Sequence, residues 1–151
     1  MHIVLRAASP ADYDTVNHLM TELMEVEADR RASFAATLAS SAHDLVLAEM
    51  GGAVVGLAHL MTYEDLSHGA PAGELLGLVV HDGYRGRGIG RALLGEVCRL
   101  ARQRGVGELH INTELDNLPA QRLYKSIGCE VIGVHMEVDL SRKIEEQLSE
   151  R

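Results

Sequence analysis

The residues whose types and spacing best suit chemistry run Arg85-Gly86-Arg87-Gly88-Ile89-Gly90, between the apolar stretch Leu75 to Val80 and a patterned continuation, Arg91-Ala92-Leu93-Leu94. Glycines lack Cβ atoms, so the backbone here can turn tightly and approach an anion closely. The helix that follows opens with N–H groups that have no intrahelical partner, and the positive end of its dipole faces the same spot. Arg85, Arg87 and Arg91 add full charges. The chemistry this implies is a grip on phosphate oxygens.

The flanks decide which phosphate grammar applies. A nucleoside-triphosphate loop needs Lys-Ser or Lys-Thr after its last glycine, whereas Gly90 is followed by Arg91 and Ala92. A dinucleotide site places Gly-x-Gly-x-x-Gly after the first strand, whereas the register here is Gly86-x-Gly88-x-Gly90, in mid-chain. What remains is Arg85-x-x-Gly88-x-Gly90 with Val80 and Tyr84 upstream. This pattern closely resembles the acetyl-CoA diphosphate loop of the GNAT-type N-acetyltransferase superfamily. A second block, Asn117, Ala120, Leu123-Tyr124 and Ile127-Gly128, matches the same family in order and spacing. The resemblance covers roughly Val54 to Val138.

The resemblance implies residue roles. Leu78, Val79 and Val80 with Arg85, Gly86, Arg87, Gly88, Ile89, Gly90 and Arg91 would bind acetyl-CoA. Asn117 and Ala120 would lie along the pantetheine arm, and Tyr124 would lie beside the sulfur. The implied reaction moves the acetyl group of acetyl-CoA to a primary amine by direct attack in a ternary complex. An alkyl ammonium, with a reference pKa of about 10.4, has no free lone pair at neutral pH, so a carboxylate or a relayed water must take its proton. Glu74, six residues before Val80, stands where the lysine-acetylating branch of the family carries its base. The branch acting on protein α-amino groups has a Glu five residues before the motif Asn, where this chain has Asn112. His81, Glu114 and His110 are the other candidate bases. A backbone N–H from a bulge in the central strand, which the resemblance puts at Leu78 to Val80, would meet the thioester oxygen, and Tyr124 would protonate the departing thiolate.

These groups need a frame to hold them. His2 to Ala7 is a first strand; Ser9-Pro10-Ala11-Asp12 starts a helix, with Ser9 as N-cap and Pro10 at its first position. Val16, Leu19, Met20, Leu23 and Met24 recur at helical spacing as a core stripe. A short second helix runs through about Ala39. Leu45 to Glu49 and Ala53 to Ala58 form a hairpin across Gly51-Gly52, and Tyr63 to Gly73 is a loop. Glu74 to Val80 is the central strand, Gly90 to about Arg104 the helix behind the phosphates, and Glu108 to Thr113 a strand parallel to the central one. Pro119 to Ser126 is a helix, Cys129 to Leu140 a long last strand, and about 141–149 a terminal helix. The expected fold is α/β: a single-domain GNAT-like fold over 1–151, with core motifs in 74–128. Its mixed six- or seven-stranded sheet is splayed at the centre and has helices on both faces.

Composition sets the outer limits. With 151 residues and 46% apolar side chains, the chain can bury a core without staples. No apolar run approaches the roughly 18 residues of a membrane span, and the opening residues turn polar too early for an export signal, so a cytoplasmic protein without a membrane partner is expected. Cys98 and Cys129 read as buried free thiols. The eight histidines lack the paired spacing of a helical zinc site, so no metal is expected. The net charge of −8 argues against a nucleic-acid partner, including charged tRNA, and suits a small cationic amine. Dimerisation through the last strand or the terminal helix is common in the family, and a homodimer is the assembly that implies. Two other readings stand beside the enzyme of small amines: a non-catalytic acetyl-CoA-binding regulatory module, and a protein lysine or N-terminal acetyltransferase.

Overall fold

Chain reversal starts at the N-terminus, where strand β1 (Ile3–Ala7) runs into a capped turn before helix α1 (Tyr13–Met24). In this computed structural model, which describes residues 2–141 and Leu148, Ser9 donates to Asp12 Oδ2 from both its N–H, at 2.7 Å, and its Oγ, at 2.9 Å. Arg6 grips the same carboxylate from β1, at 2.9 and 2.8 Å. These bonds from Arg6 are the main reason the Asp12 carboxyl sits far below the usual carboxylate range. The expected cap is therefore present, with Pro10–Asp12 wound as a 3-10 turn ahead of the α-helix proper.

Helix α2 (Arg31–Ala39) leads to β2 (His43–Met50), β3 (Ala53–Asp65) and β4 (Ala70–Val80). Helix α3 (Ile89–Gln103), β5 (Leu109–Ile111) and α4 (Leu118–Lys125) complete the regular elements among the described residues. The sheet order is β1-β2-β3-β4-β5. The first four strands are antiparallel, and β5 is parallel to β4 because α3 carries the chain back across the sheet. One face packs Leu60, Leu75 and Ala58 against Ile89, Leu93, Leu94 and Val97 of α3 and Tyr124 of α4. The other packs Leu47, Leu57 and Val79 against Val16 and Leu19 of α1 and Phe34 of α2. Helices thus cover both faces, as the apolar periodicity requires.

Three expectations need correction. Tyr63 to Gly73 is a hairpin: β3 and β4 stay in register from Tyr63↔Ala72 to Asp65↔Ala70. Asp65 closes its turn by accepting from Ser67 N–H, at 2.9 Å, and from Gly69 N–H through its carbonyl, at 2.8 Å. This ladder rises past the core, where exposed polar side chains hide the strand signal. Cys129 to Leu140 is not a strand, and the described sheet has five strands in place of six or seven. The alternating apolar residues Ile132, Val134, Met136 and Val138 are 85%, 87%, 86% and 61% exposed, and among the described residues no strand pairs with them. The bulge in the central strand falls at Leu76, between the pairs Leu60↔Leu75 and His59↔Gly77, ahead of Leu78 to Val80. The terminal helix expected at about 141–149 lies outside the described residues.

Candidate active site

The glycine loop starts where β4 leaves the sheet. His81 N–H bonds Val55 O at 2.9 Å, Arg85 Nε bonds Val80 O at 3.0 Å, and a 3-10 turn over Asp82–Tyr84 follows. Gly86 and Gly88 have φ of +74° and +81°, the left-handed region that glycine enters without strain. A Cβ at either position would meet no atom within 4 Å, so the space over the loop is open. The first backbone bond of α3 is Ala92 N–H to Gly88 O, at 3.0 Å. The N–H groups of Ile89, Gly90 and Arg91 come before it and find no acceptor in the helix. Ile89 and Leu93, 1% and 0% exposed, anchor this helix start to the core.

Gly90 has a different task. A Cβ there would stand 3.3 Å from Leu123 Cδ2, 3.7 Å from Leu78 Cδ2 and 3.8 Å from Val80 Cγ2. Its missing side chain lets α3, α4 and β4 meet at one point. Arg91 reinforces that junction through Nη1 to Ser126 Oγ, at 3.0 Å. Of the other two arginines, Arg87 lies over the Tyr84 ring at 5.1 Å. Arg85 is held by Asp82, at 2.7 Å, and lies 3.7 Å from Glu22, so its charge at the loop is partly offset.

Beside the loop the sheet opens. β4 and β5 pair only at Gly73↔Leu109, Glu74↔His110 and Leu75↔Ile111. From Leu76 to Val80 the edge of β4 that faces β5 has no strand partner among the described residues, so its main-chain groups, apart from the Val80 carbonyl that accepts from Arg85 Nε, are open to a ligand. Leu78 and Val80 turn toward α3, while Val79 is buried in the core beneath α1 and α2.

Helix α4 begins at Asn117, whose Oδ1 accepts from Ala120 N–H at 3.2 Å, so this Asn is the helix cap. Ala120 packs partly buried against the core. Tyr124 is 9% exposed in that core, and none of the described residues hydrogen-bonds its hydroxyl. Burial, with a smaller contribution from the Cys129 thiol, pushes its pKa up, so the hydroxyl keeps its proton. Cys98 and Cys129 are free and only partly buried.

Glu74 is half-buried on β4 and accepts from Asn112 Nδ2 at 3.0 Å. The residue standing five before the motif Asn thus holds the carboxylate of the other candidate position. His110 faces Tyr63 at 3.5 Å and Glu108 at 3.9 Å. His81 does not stand alone: its Nδ1 is 2.9 Å from Glu22 Oε2, and Glu22 Oε1 accepts from Asp82 N–H at 2.9 Å. Burial disfavours ionisation of Glu22, but the bonds from His81 and Asp82 and the charge of Arg85 outweigh it and lower its pKa. Sequence reasoning missed Glu22, which looks like an ordinary polar position on α1. Elsewhere, His43 Nδ1 and His59 Nε2 are 2.8 Å apart, and burial followed by the charge of His43 depresses the His59 pKa to about 4. Hollows of about 330 Å³ beside Arg6 and His43, and about 530 Å³ beside Tyr13 and Phe34, include no residue of the loop. The candidate site lies outside both, where the backbone of the loop is open.

A mixed sheet parted beside a glycine-bound helix start, with helices on both faces, defines the class: a single α/β domain. The chain belongs to the acetyltransferase (GNAT) family, whose model matches residues 11–129. It is 34% identical over 134 residues to an uncharacterised protein of Mycobacterium leprae, covering 87% of this chain and 36% of that protein. It is 32% identical over 104 residues to the aminoglycoside N(6')-acetyltransferase type 1 of Serratia marcescens, covering 66% of this chain and 71% of the relative. The solved structure of an aminoglycoside N-acetyltransferase in complex with CoA superposes with a TM-score of 0.81 at 21% identity, over 91% of this chain and 94% of that one. Against four of its curated relatives, the chain spans 23% to 59% of their length. Among the described residues no helix is long and apolar enough to cross a membrane.

Proposed function

We propose that this chain is an acetyl-CoA-dependent N-acetyltransferase acting on a small cationic primary amine. The observation that carries the reading is the coincidence of two openings at one place: the unpaired β4 edge from Leu76 to Val80, and the free N–H groups at the start of α3. The N–H groups between Gly86 and Arg91 bind the diphosphate oxygens, with Arg87 and Arg91 adding charge. Backbone groups of Leu78 to Val80 align the pantetheine arm as an added strand and present an N–H to the thioester oxygen. Asn117 and Ala120 border the same arm.

Glu74, oriented by Asn112, takes a proton from the substrate ammonium directly or through water. The freed amine nitrogen attacks the thioester carbon, so the C–N bond forms and the C–S bond breaks. Tyr124 gives its proton to the departing sulfur and is reprotonated, through water, by the second proton that the attacking nitrogen sheds, which leaves coenzyme A and the neutral amide as products, while the first proton passes from Glu74 to solvent. The transfer is direct, within a ternary complex. The net charge of −8 favours cationic acceptors, and the name of the Serratia relative points to a polyamine sugar class.

Purified protein, acetyl-CoA and a panel of amines test this reading. Thiol release that depends on the amine supports it, and strongest turnover with polycationic amines supports the acceptor class. Coenzyme A binding without release would instead support a regulatory module.

A further inference from the structure

Helix α1 places His18 and Glu22 one turn apart on a single face, and His81, the residue just after β4, stands opposite. One potential ligand atom from each of these three side chains lies within 4.8 Å of the other two. We propose that His18, Glu22 and His81 form a binding site for one divalent transition-metal ion of the zinc class, which clamps α1 to the entrance of the glycine loop. This site is separate from the acetyl-transfer reading and does not depend on it.

The donor set selects the ion. Two imidazoles and one carboxylate suit zinc, cobalt or nickel, whereas magnesium and calcium prefer all-oxygen shells. Zinc bonds of about 2.0 to 2.2 Å at tetrahedral angles separate neighbouring ligand atoms by about 3.3 Å. His81 Nδ1 and Glu22 Oε2 are 2.9 Å apart, so they need open only by a few tenths of an ångström. His18 is exposed, and its ring centroid lies 6.0 Å from that of His81, so side-chain rotation can bring its nitrogen in.

Supporting contacts favour the same use. Asp82 N–H holds Glu22 Oε1 and leaves Oε2 directed at the cluster, the kind of outer bond that fixes a ligating carboxylate. Arg85, whose Nη2 lies 3.7 Å from Glu22 Oε1, opposes a cation, but its Nη1 is bound to Asp82 at 2.7 Å and its field is offset. Three protein ligands leave a fourth position for water, open to solvent on the His18 side. If Glu22 and His81 served only as a structural hydrogen-bonded pair, His18 would have no part to play, and that difference makes the proposal testable.

The full chain, stripped with a chelator, is titrated with Co²⁺ alone, followed by visible absorption, and with Zn²⁺ alone in a calorimeter. The expected result is one ion per chain, with affinity lowered at least about tenfold in both His18→Gln and His81→Gln and unchanged in His68→Gln, a surface histidine on the β3–β4 turn. His18→Gln alters an exposed side chain, and a melting curve of each metal-free variant verifies its fold. Absence of one-to-one binding below millimolar metal, or binding that His18→Gln leaves intact, would overturn the proposal.

Discussion

The glycine loop and the segment from Cys129 to Asp139 both carry clear signals in the sequence, yet only the first leads into regular structure with buried anchors. Around the loop, each local preference has a partner. Gly86 and Gly88 take the left-handed backbone, Ile89 and Leu93 are buried, and Gly90 receives Leu123. Along the later segment, Ile132, Val134, Met136 and Val138 alternate as a strand should, but among the described residues no partner strand stands beside them and all are exposed. Beyond its first turn a helix satisfies its backbone within itself, whereas a strand has no stability without a neighbour.

Five measurements would break or sharpen that contrast. The largest effect is expected for Gly88→Val, which forces a β-branched residue to φ of +81° and puts its side chain into the open space over the loop. Coenzyme A affinity should fall by about a hundredfold or more; an unchanged affinity by calorimetry would remove the cradle. Leu93→Ala, at a fully buried position, should lower unfolding free energy by about 2 to 5 kcal/mol in a denaturant titration.

The third effect depends on pH. His59 has its pKa depressed from 6.5 to about 4, so the folded state favours the neutral ring. The stabilisation is fully present above pH 6.5 and is lost as pH falls toward 4, by roughly 2 kcal/mol after allowance for solvent screening. A His59→Gln variant should lose that part of the slope; an identical pH profile would exclude His59 as its source.

Tyr124→Phe should lower turnover at least about tenfold while acetyl-CoA binding changes little, since the ring and its packing remain. Turnover equal to that of the parent would remove Tyr124 from the acid role. Ile132→Ser should produce the smallest effect, under about 0.5 kcal/mol, as expected for an exposed side chain. A loss several times larger would mean that this segment packs against a partner in solution.

Much of the frame was legible before any coordinates. The apolar stripe of Val16, Leu19 and Leu23 specified α1, Ser9 and Asp12 its capped start, and Leu75 to Gly90 the strand, loop and helix that hold the candidate cofactor site. The sheet edges were less legible. The Tyr63 to Gly73 stretch lacks the alternation of a half-buried strand because it extends past the core, and its pairing rests on backbone bonds and on Asp65. Asn117 carried both a cap pattern and a family pattern, and its bond to Ala120 N–H shows that the cap is formed.

By itself the sequence determined what is local: periodicity, caps, and the glycines whose φ values and missing Cβ atoms the loop needs. Only the tertiary structure decided what meets across the chain. It set Asn112 on Glu74, placed Gly90 against Leu123, and joined Glu22 to His81, 59 positions further along the chain. The reason is physical. Backbone preference acts over a few residues and is written in their types, whereas convergence of side chains depends on how strands register and helices pack, which no single stretch of sequence specifies.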